Sequence, residues 1–139
     1  MTGAVTGADL ARAASGLIGV RFLLHGRDPA TGLDCIGLLA AALAAIGRPA
    51  VLPSGYALRM RDLAGWLPPP RTLGFTCAER PVEPGDAVLV RLGAAQLHLA
   101  IAASDGGWIH AHAGLRRVVH QPALPDGAIL HHWRLTPCD

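Results

Sequence analysis

Apolar positions along the chain change their period near its middle. Over residues 8–18, Leu10, Ala14 and Leu17 recur at helical spacing and predict a short amphipathic helix. A polar, turn-rich link over 26–32 leads into an apolar run at 35–46, which predicts a second, buried helix. Thr31 or Asp34 can cap that helix, and Gly47 followed by Pro49 stops it. From 50 to 84 the chain is irregular and proline-rich, including Pro68-Pro69-Pro70, so a surface loop with a short helix near 56–66 is expected. After Pro84-Gly85-Asp86 the period becomes two. Strands are expected over 87–91, 97–103, 107–112, 117–120 and 128–135.

Helices followed by antiparallel strands describe an α+β fold. No internal repeat or linker interrupts 139 residues, a length that suits one domain, 1–139. The 35–46 run is about half the length of a membrane span, so membrane insertion is not expected. The first residues, Met1-Thr2-Gly3-Ala4-Val5, show no basic and apolar leader, so synthesis in the cytoplasm is expected.

Composition changes this picture only a little. Apolar residues make up 51% and charged residues 16%, which is a globular balance. The formal charge of +2 and the lack of any basic cluster beyond Arg116-Arg117 argue against nucleic acid as partner. All 12 basic residues are arginine, which fits GC-rich coding more readily than a chemical role. Three cysteines cannot all pair within one chain, so at least one thiol is free.

Candidate chemistry begins at Cys35. A helix N-terminus offers unpaired N–H groups and the positive end of the helix dipole, which favour a thiolate. A thiolate enzyme also needs a base and something to orient that base. Most of the seven histidines lie in the strand region. Hairpin register decides which of them meet. A two-residue loop of Asp105 and Gly106 would put His98 and His110 on opposite faces. A loop of Ala103, Ser104 and Asp105 sets His98 against His110. A loop of Ser104, Asp105 and Gly106 sets His98 against His112, with His110 its diagonal neighbour, and Gly106 or Gly107 can supply the left-handed residue.

The blocks Gly32-Leu33-Asp34-Cys35-Ile36-Gly37-Leu38, Pro84-Gly85-Asp86-Ala87-Val88, His98-Leu99-Ala100-Ile101 and Ile109-His110-Ala111 resemble the NlpC/P60 family in order and spacing. These are papain-like cysteine peptidases, typically cutting the γ-D-glutamyl–diamino acid amide bond of peptidoglycan stem peptides. The resemblance covers 16–120. It implies Cys35 as nucleophile, His98 as general base and His110 as the residue that orients the imidazole, with His112 the alternative third residue. The block from Gly26 to Cys35 is similar to members among phage-tail and gene-transfer-agent proteins, which implies a tail-like particle as partner and delivery to the cell wall. The family usually carries a Tyr twelve residues before the cysteine, an oxyanion donor; here that position is Leu23. Asp34, His25 and Arg21 are the nearby polar candidates for oxyanion or substrate contact.

Other readings stand beside this one. The domain can be a structural tail or assembly component of the same fold, or a cysteine amidase or acyltransferase acting on another amide. A zinc site built from the histidines is disfavoured because no compact Cys-x-x-Cys pair exists, so neither metal nor cofactor is expected. His131-His132 reads as a solvated strand end. Arg27 with Asp28 reads as a loop ion pair or turn element. Cys77 and Cys138 read as free thiols, with a bridge between them left open. Trp66, Trp108 and Trp133 read as core or groove wall.

Overall fold

A computed structural model of the chain describes residues 5–50, 52, 70–91, 97–124 and 128–136. The expected helix near 56–66, Trp66 and Cys138 lie outside the described residues.

Two helices open the fold. The first, α1 (Gly7–Ser15), follows Thr6, whose N–H donates to the Asp9 carboxylate at 2.8 Å in the manner of a capping box. It buries Leu10, Ala11 and Ala14, and it ends three residues before the apolar spacing does. The reason is local: the chain turns at Gly16 and again at Gly19, leaving Leu17 half-buried beside the core. Between the helices the turn-rich link forms a small ladder that its polar sequence does not advertise. Strands β1 (Arg27–Asp28) and β2 (Gly32–Leu33) pair antiparallel immediately before α2 (Cys35–Ala45). Asp34 caps α2, and the helix buries Ile36, Gly37, Leu38, Leu39, Ala42 and Leu43.

A 3-10 helix at Pro70–Leu73 leads to β3 (Phe75–Cys77). This strand falls in the stretch expected to be irregular, and three residues are too few to show alternation. Then come β4 (Ala87–Arg91), β5 (Leu97–Ala102), β6 (Trp108–His112), β7 (Arg117–Gln121) and β8 (Ala128–Leu135), each within a residue of the expected bounds. These six strands form one sheet in the order β3-β8-β4-β5-β6-β7, with antiparallel pairing throughout. The last strand lies inside the sheet, between β3 and β4.

Alternation divides the sheet into two faces. Ala87, Leu89, Leu99, Ile101, Ile109, Ala111, Val118, Trp133 and Leu135 pack with both helices in the main core. Val88, Val90 and Ala100 form a smaller cluster with Trp108 and Leu124. Burial of the first set supplies most of the driving force that holds helices to sheet. One close approach fixes where α2 sits: a Cβ at Gly37 would collide with the Gly26 carbonyl oxygen. Only glycine lets the first turn of α2 lie directly on the loop before β1.

The β5–β6 hairpin settles its own register. Ile101 pairs with Ile109 and Ala102 with Trp108, and the Ala103 N–H donates to Gly107 O at 2.8 Å. The loop is therefore Ser104, Asp105 and Gly106, with Gly106 in the left-handed region at φ 94°. Asp105 holds the turn by accepting from the Gly107 N–H at 2.9 Å and by pairing with His120 Nε2 at 3.0 Å.

Candidate active site

Asp34 organises the approach to Cys35. Its carboxylate is 1% exposed and takes three donors. Oδ1 accepts from the Gly37 N–H at 2.8 Å and from Arg27 Nη1 at 3.1 Å, and Oδ2 accepts from the His25 N–H at 2.7 Å. Arg27 thus pairs with Asp34, and Asp28 instead accepts the Ala30 N–H at 2.9 Å within its own turn. Of the two readings of Arg27 with Asp28, the turn element is the one seen, and the β1–β2 ladder carries Arg27 back towards the helix start. Asp34 is placed as a cap for α2 and a tie for the loop before it.

Three backbone N–H groups, those of Leu99, Ile36 and Cys35 itself, favour the charged form of the Cys35 thiol. The last two are the helix-start donors that the sequence predicts. They do not win. Burial pushes the thiol up from its ordinary 9.0 to about 11, and the negative charge of Asp34 adds to the rise, while the three N–H groups act against it. A helix N-terminus is worth roughly 0.3–1 kcal/mol to an anion. A rise from 9.0 to about 11 corresponds to about 3 kcal/mol in favour of the neutral thiol. Desolvation thus opposes the expected thiolate at this half-buried thiol.

Across the sheet the histidines form a chain. His98 Nε2 lies 2.7 Å from His110 Nδ1, with the two rings edge to face at a centroid distance of 4.7 Å. His110 Nε2 in turn lies 2.7 Å from the amide oxygen of Gln121. His112 stands beside this chain, its ring centroid 5.7 Å from that of His110, and its Nδ1 accepts the Leu115 N–H at 3.0 Å. Of the two candidates for the third position, His110 is the one bonded to His98. Burial pushes His98 down to about 3, and repulsion from His110 and His112 adds to the fall. Burial also lowers His110, against the opposing pull of its bond to Gln121. Both rings are neutral near pH 7.

Sequence reasoning did not single out Gln121. It is the last residue of β7, two positions beyond Val119, which pairs with His110, so alternation along that strand puts it on the histidine face.

The thiol and the histidine chain lie beside neighbouring residues of β5. The sulfur abuts the N–H of Leu99, the residue after His98, and packs with the helix-side core. His98 pairs with Val90, and alternation directs its ring to the face of Val90 and Ala100. Among the described residues, no hydrogen bond joins the thiol to the imidazole.

The remaining candidates are placed as follows. The His25 backbone has φ 62° and serves Asp34 through its N–H. Arg21 is exposed and forms an antiparallel bridge with Arg117. Leu23 is 44% exposed and its backbone N–H donates to Leu33 O at 3.1 Å, which keeps it beside β2 just ahead of Cys35. It has no side-chain donor.

His132 corrects another expectation. It is not a solvated strand end: its Nε2 lies 2.6 Å from Oδ2 of the fully buried Asp86. Arg134 donates to both oxygens of the same carboxylate at 2.9 Å, and the Glu83 N–H adds a bond at 2.9 Å. Burial alone would raise the Asp86 carboxyl, but the bonds from Arg134, Glu83 and His132 outweigh it and hold the group below its ordinary value. Its neighbour His131 stacks on Trp133 at 5.2 Å. The Pro84-Gly85-Asp86 block is thus a clamp between β4 and β8.

An open concavity of about 630 Å³ runs along α2, lined by Leu17, Arg27, Ala40, Ala44 and Leu52 among others. It contains none of Cys35, His98 or His110 and is not the site of this chemistry. Among the described residues, no three His, Cys, Asp or Glu side chains are grouped to hold a metal ion, and no helix is long and apolar enough to cross a membrane.

The fold matches known structures although the sequence matches little. No protein-family model and no curated protein matches the chain. NlpC1 from Trichomonas vaginalis superposes with a TM-score of 0.68 at 20% identity, over 91% of this chain and 44% of its own. NlpC2 from the same organism gives 0.67 at 19% identity, over 93% of this chain and 48% of its own. The NlpC/p60 domain of the peptidoglycan hydrolase SagA gives 0.56 at 22% identity, over 95% of this chain and 99% of its own. The chain therefore spans less than half the length of the two Trichomonas proteins. At these identities the comparisons establish the fold, a small α+β domain of NlpC/P60 type.

Proposed function

We propose that this chain is a cysteine peptidase that hydrolyses a peptidoglycan stem-peptide amide of the γ-D-glutamyl–diamino acid type, with Cys35 as nucleophile, His98 as general base and His110 as the residue orienting it. One observation carries the reading: His98 and His110, which the resemblance makes base and orienting residue, bond each other at 2.7 Å on the sheet against which the Cys35 helix packs. The likeness in fold to the SagA domain supports the substrate class.

The neutral resting pair dictates the order of events. His98 Nδ1 takes the thiol proton as sulfur attacks the amide carbonyl carbon, so charge separates only when substrate excludes water. The electron pair of the carbonyl moves to oxygen, and the Cys35 N–H at the helix start donates to it. The tetrahedral intermediate collapses, the C–N bond breaks, and the His98 imidazolium returns its proton to the leaving amine. Water then adds to the thioester with His98 again as base, releasing the acid and the thiol.

The test is release of soluble peptides carrying new amino groups from purified peptidoglycan, compared with Cys35→Ala and His98→Ala. Product from the wild type that vanishes in Cys35→Ala and falls on the order of a hundredfold or more in His98→Ala supports the reading. Product that survives Cys35→Ala overturns it. Activity confined to other amides would make the chain an amidase or acyltransferase.

A second reading is a structural component of the same fold with weak or no activity. It is favoured by Leu23 at the oxyanion position and by a thiol held near 11. In either case we place the chain in a phage-tail or gene-transfer-agent particle acting at the cell wall, on the similarity of the block from Gly26 to Cys35. Purified particles that lack the chain would remove that placement.

A further inference from the structure

For its catalytic meaning the following rests on the hydrolase reading above; its structural content does not. We propose that Gln121 is a positioning residue whose amide oxygen sets the ring tautomers of His110 and His98, so that His98 keeps its lone pair on Nδ1. Donor and acceptor roles follow one another along the chain of rings. An amide oxygen only accepts, and it stands 2.7 Å from His110 Nε2, so that nitrogen carries hydrogen. A neutral imidazole has one N–H, which leaves His110 Nδ1 as an acceptor. That atom is 2.7 Å from His98 Nε2, which must therefore be the donor. The remaining nitrogen of His98, Nδ1, is then unprotonated and is the base.

The reverse arrangement is equally well bonded and chemically dead. With the Gln121 amide nitrogen towards His110, every proton in the chain moves over by one place. His98 then carries hydrogen on Nδ1 and cannot accept the thiol proton there. A single amide orientation, two rings away from the sulfur, decides between a base and a non-base. Water is poorly placed to take over this role, because His110 is 1% exposed and His98 is 7% exposed. Nor does His112 compete: its Nδ1 is engaged with the Leu115 N–H. When the thiol proton arrives at Nδ1, the positive charge on His98 strengthens its Nε2–H bond to His110, and no second proton has to move.

The experiment is two-bond ¹H–¹⁵N spectroscopy of the full chain with ¹⁵N-labelled histidine, together with kinetics of peptidoglycan hydrolysis and of Cys35 alkylation by iodoacetamide. His98 and His110 should both be Nε2–H tautomers in the wild type. Gln121→Met removes a strong acceptor at nearly constant length. It should give mixed tautomers and a drop in kcat on the order of tenfold or more, with KM nearly unchanged. Gln121→Glu still only accepts, so near pH 8 it should retain both tautomers and most of the rate. Its added charge should also give the alkylation and hydrolysis profiles an acidic limb at higher pH than the wild type. An Nδ1–H tautomer at His98 in the wild type, or unchanged tautomers in Gln121→Met, overturns the proposal. A wild type with the stated tautomers and no hydrolysis leaves this proposal standing and defeats the functional reading instead.

Discussion

His98 Nε2 stands 2.7 Å from His110 Nδ1, although the hairpin register, carried three pairs further than the ladder runs, sets His98 opposite His112. The contact is diagonal. Long aromatic side chains bridge diagonals of this kind across neighbouring strands, and here the diagonal leaves His112 to the Leu115 turn.

Burying that pair should make the protein sensitive to mild acid. His98 is lowered from 6.5 to about 3, so between those values the unfolded chain binds a proton that the folded chain refuses. Stability therefore falls as pH drops through that window. Urea unfolding at pH 7, 5 and 4 should show the loss, and His98→Asn should flatten it. An equal slope in both proteins would show that the burial of His98 is not the cause.

At the alkaline end Cys35 works in the opposite sense. Its thiol is raised from 9.0 to about 11, so in that window the folded chain retains a proton that the unfolded chain releases. Stability should be full below 9, fall as pH rises towards 11, and fall less in Cys35→Ala. The same burial predicts that iodoacetamide labels exposed Cys77 well before Cys35 at pH 7. Preferential labelling of Cys35 would indicate an activated thiolate and contradict the resting state described above.

Asp34→Ala should be among the most damaging single substitutions. It removes a helix cap worth about 1 kcal/mol, and it also breaks the half-buried contact with Arg27 and the bond from the His25 N–H. A loss on the order of 3 kcal/mol is expected, read by chemical denaturation. Asp34→Asn, which keeps an acceptor, should recover part of it.

Leu23→Tyr supplies a donor at the position where the resembled family carries one. If the hydrolase reading holds, kcat on muropeptides should rise, by on the order of tenfold or more. Stability should change little, because Leu23 is 44% exposed. A variant that folds and shows no gain would place the oxyanion donor elsewhere.

Legibility in the sequence followed the range of each interaction. The strand period exposed β4 through β8, and the helix run from Cys35 was plain because eleven residues carry its signal. The three-residue turn that sets the histidine register was one of a few allowed options, and only the observed pairing of Ile101 with Ile109 selects it. Gln121 and the Asp86–His132 bond depend on strands far apart in the chain, which no local pattern records. The state of Cys35 is less legible for a related reason. A helix start is visible in sequence, whereas desolvation by the packed sheet emerges only on folding.

The place of β8 has a consequence for how the molecule comes into being. The strand made last belongs between two made much earlier, with Phe75 against Leu135 on one side and Ala87 against Trp133 on the other. Until residues 128–135 have left the ribosome, β3 and β4 each present an unpaired edge and Asp86 has neither of its side-chain partners. The sheet is closed from the inside by its final piece, so a nascent chain halted before that point holds its thiol and both catalytic-candidate histidines on an unfinished scaffold.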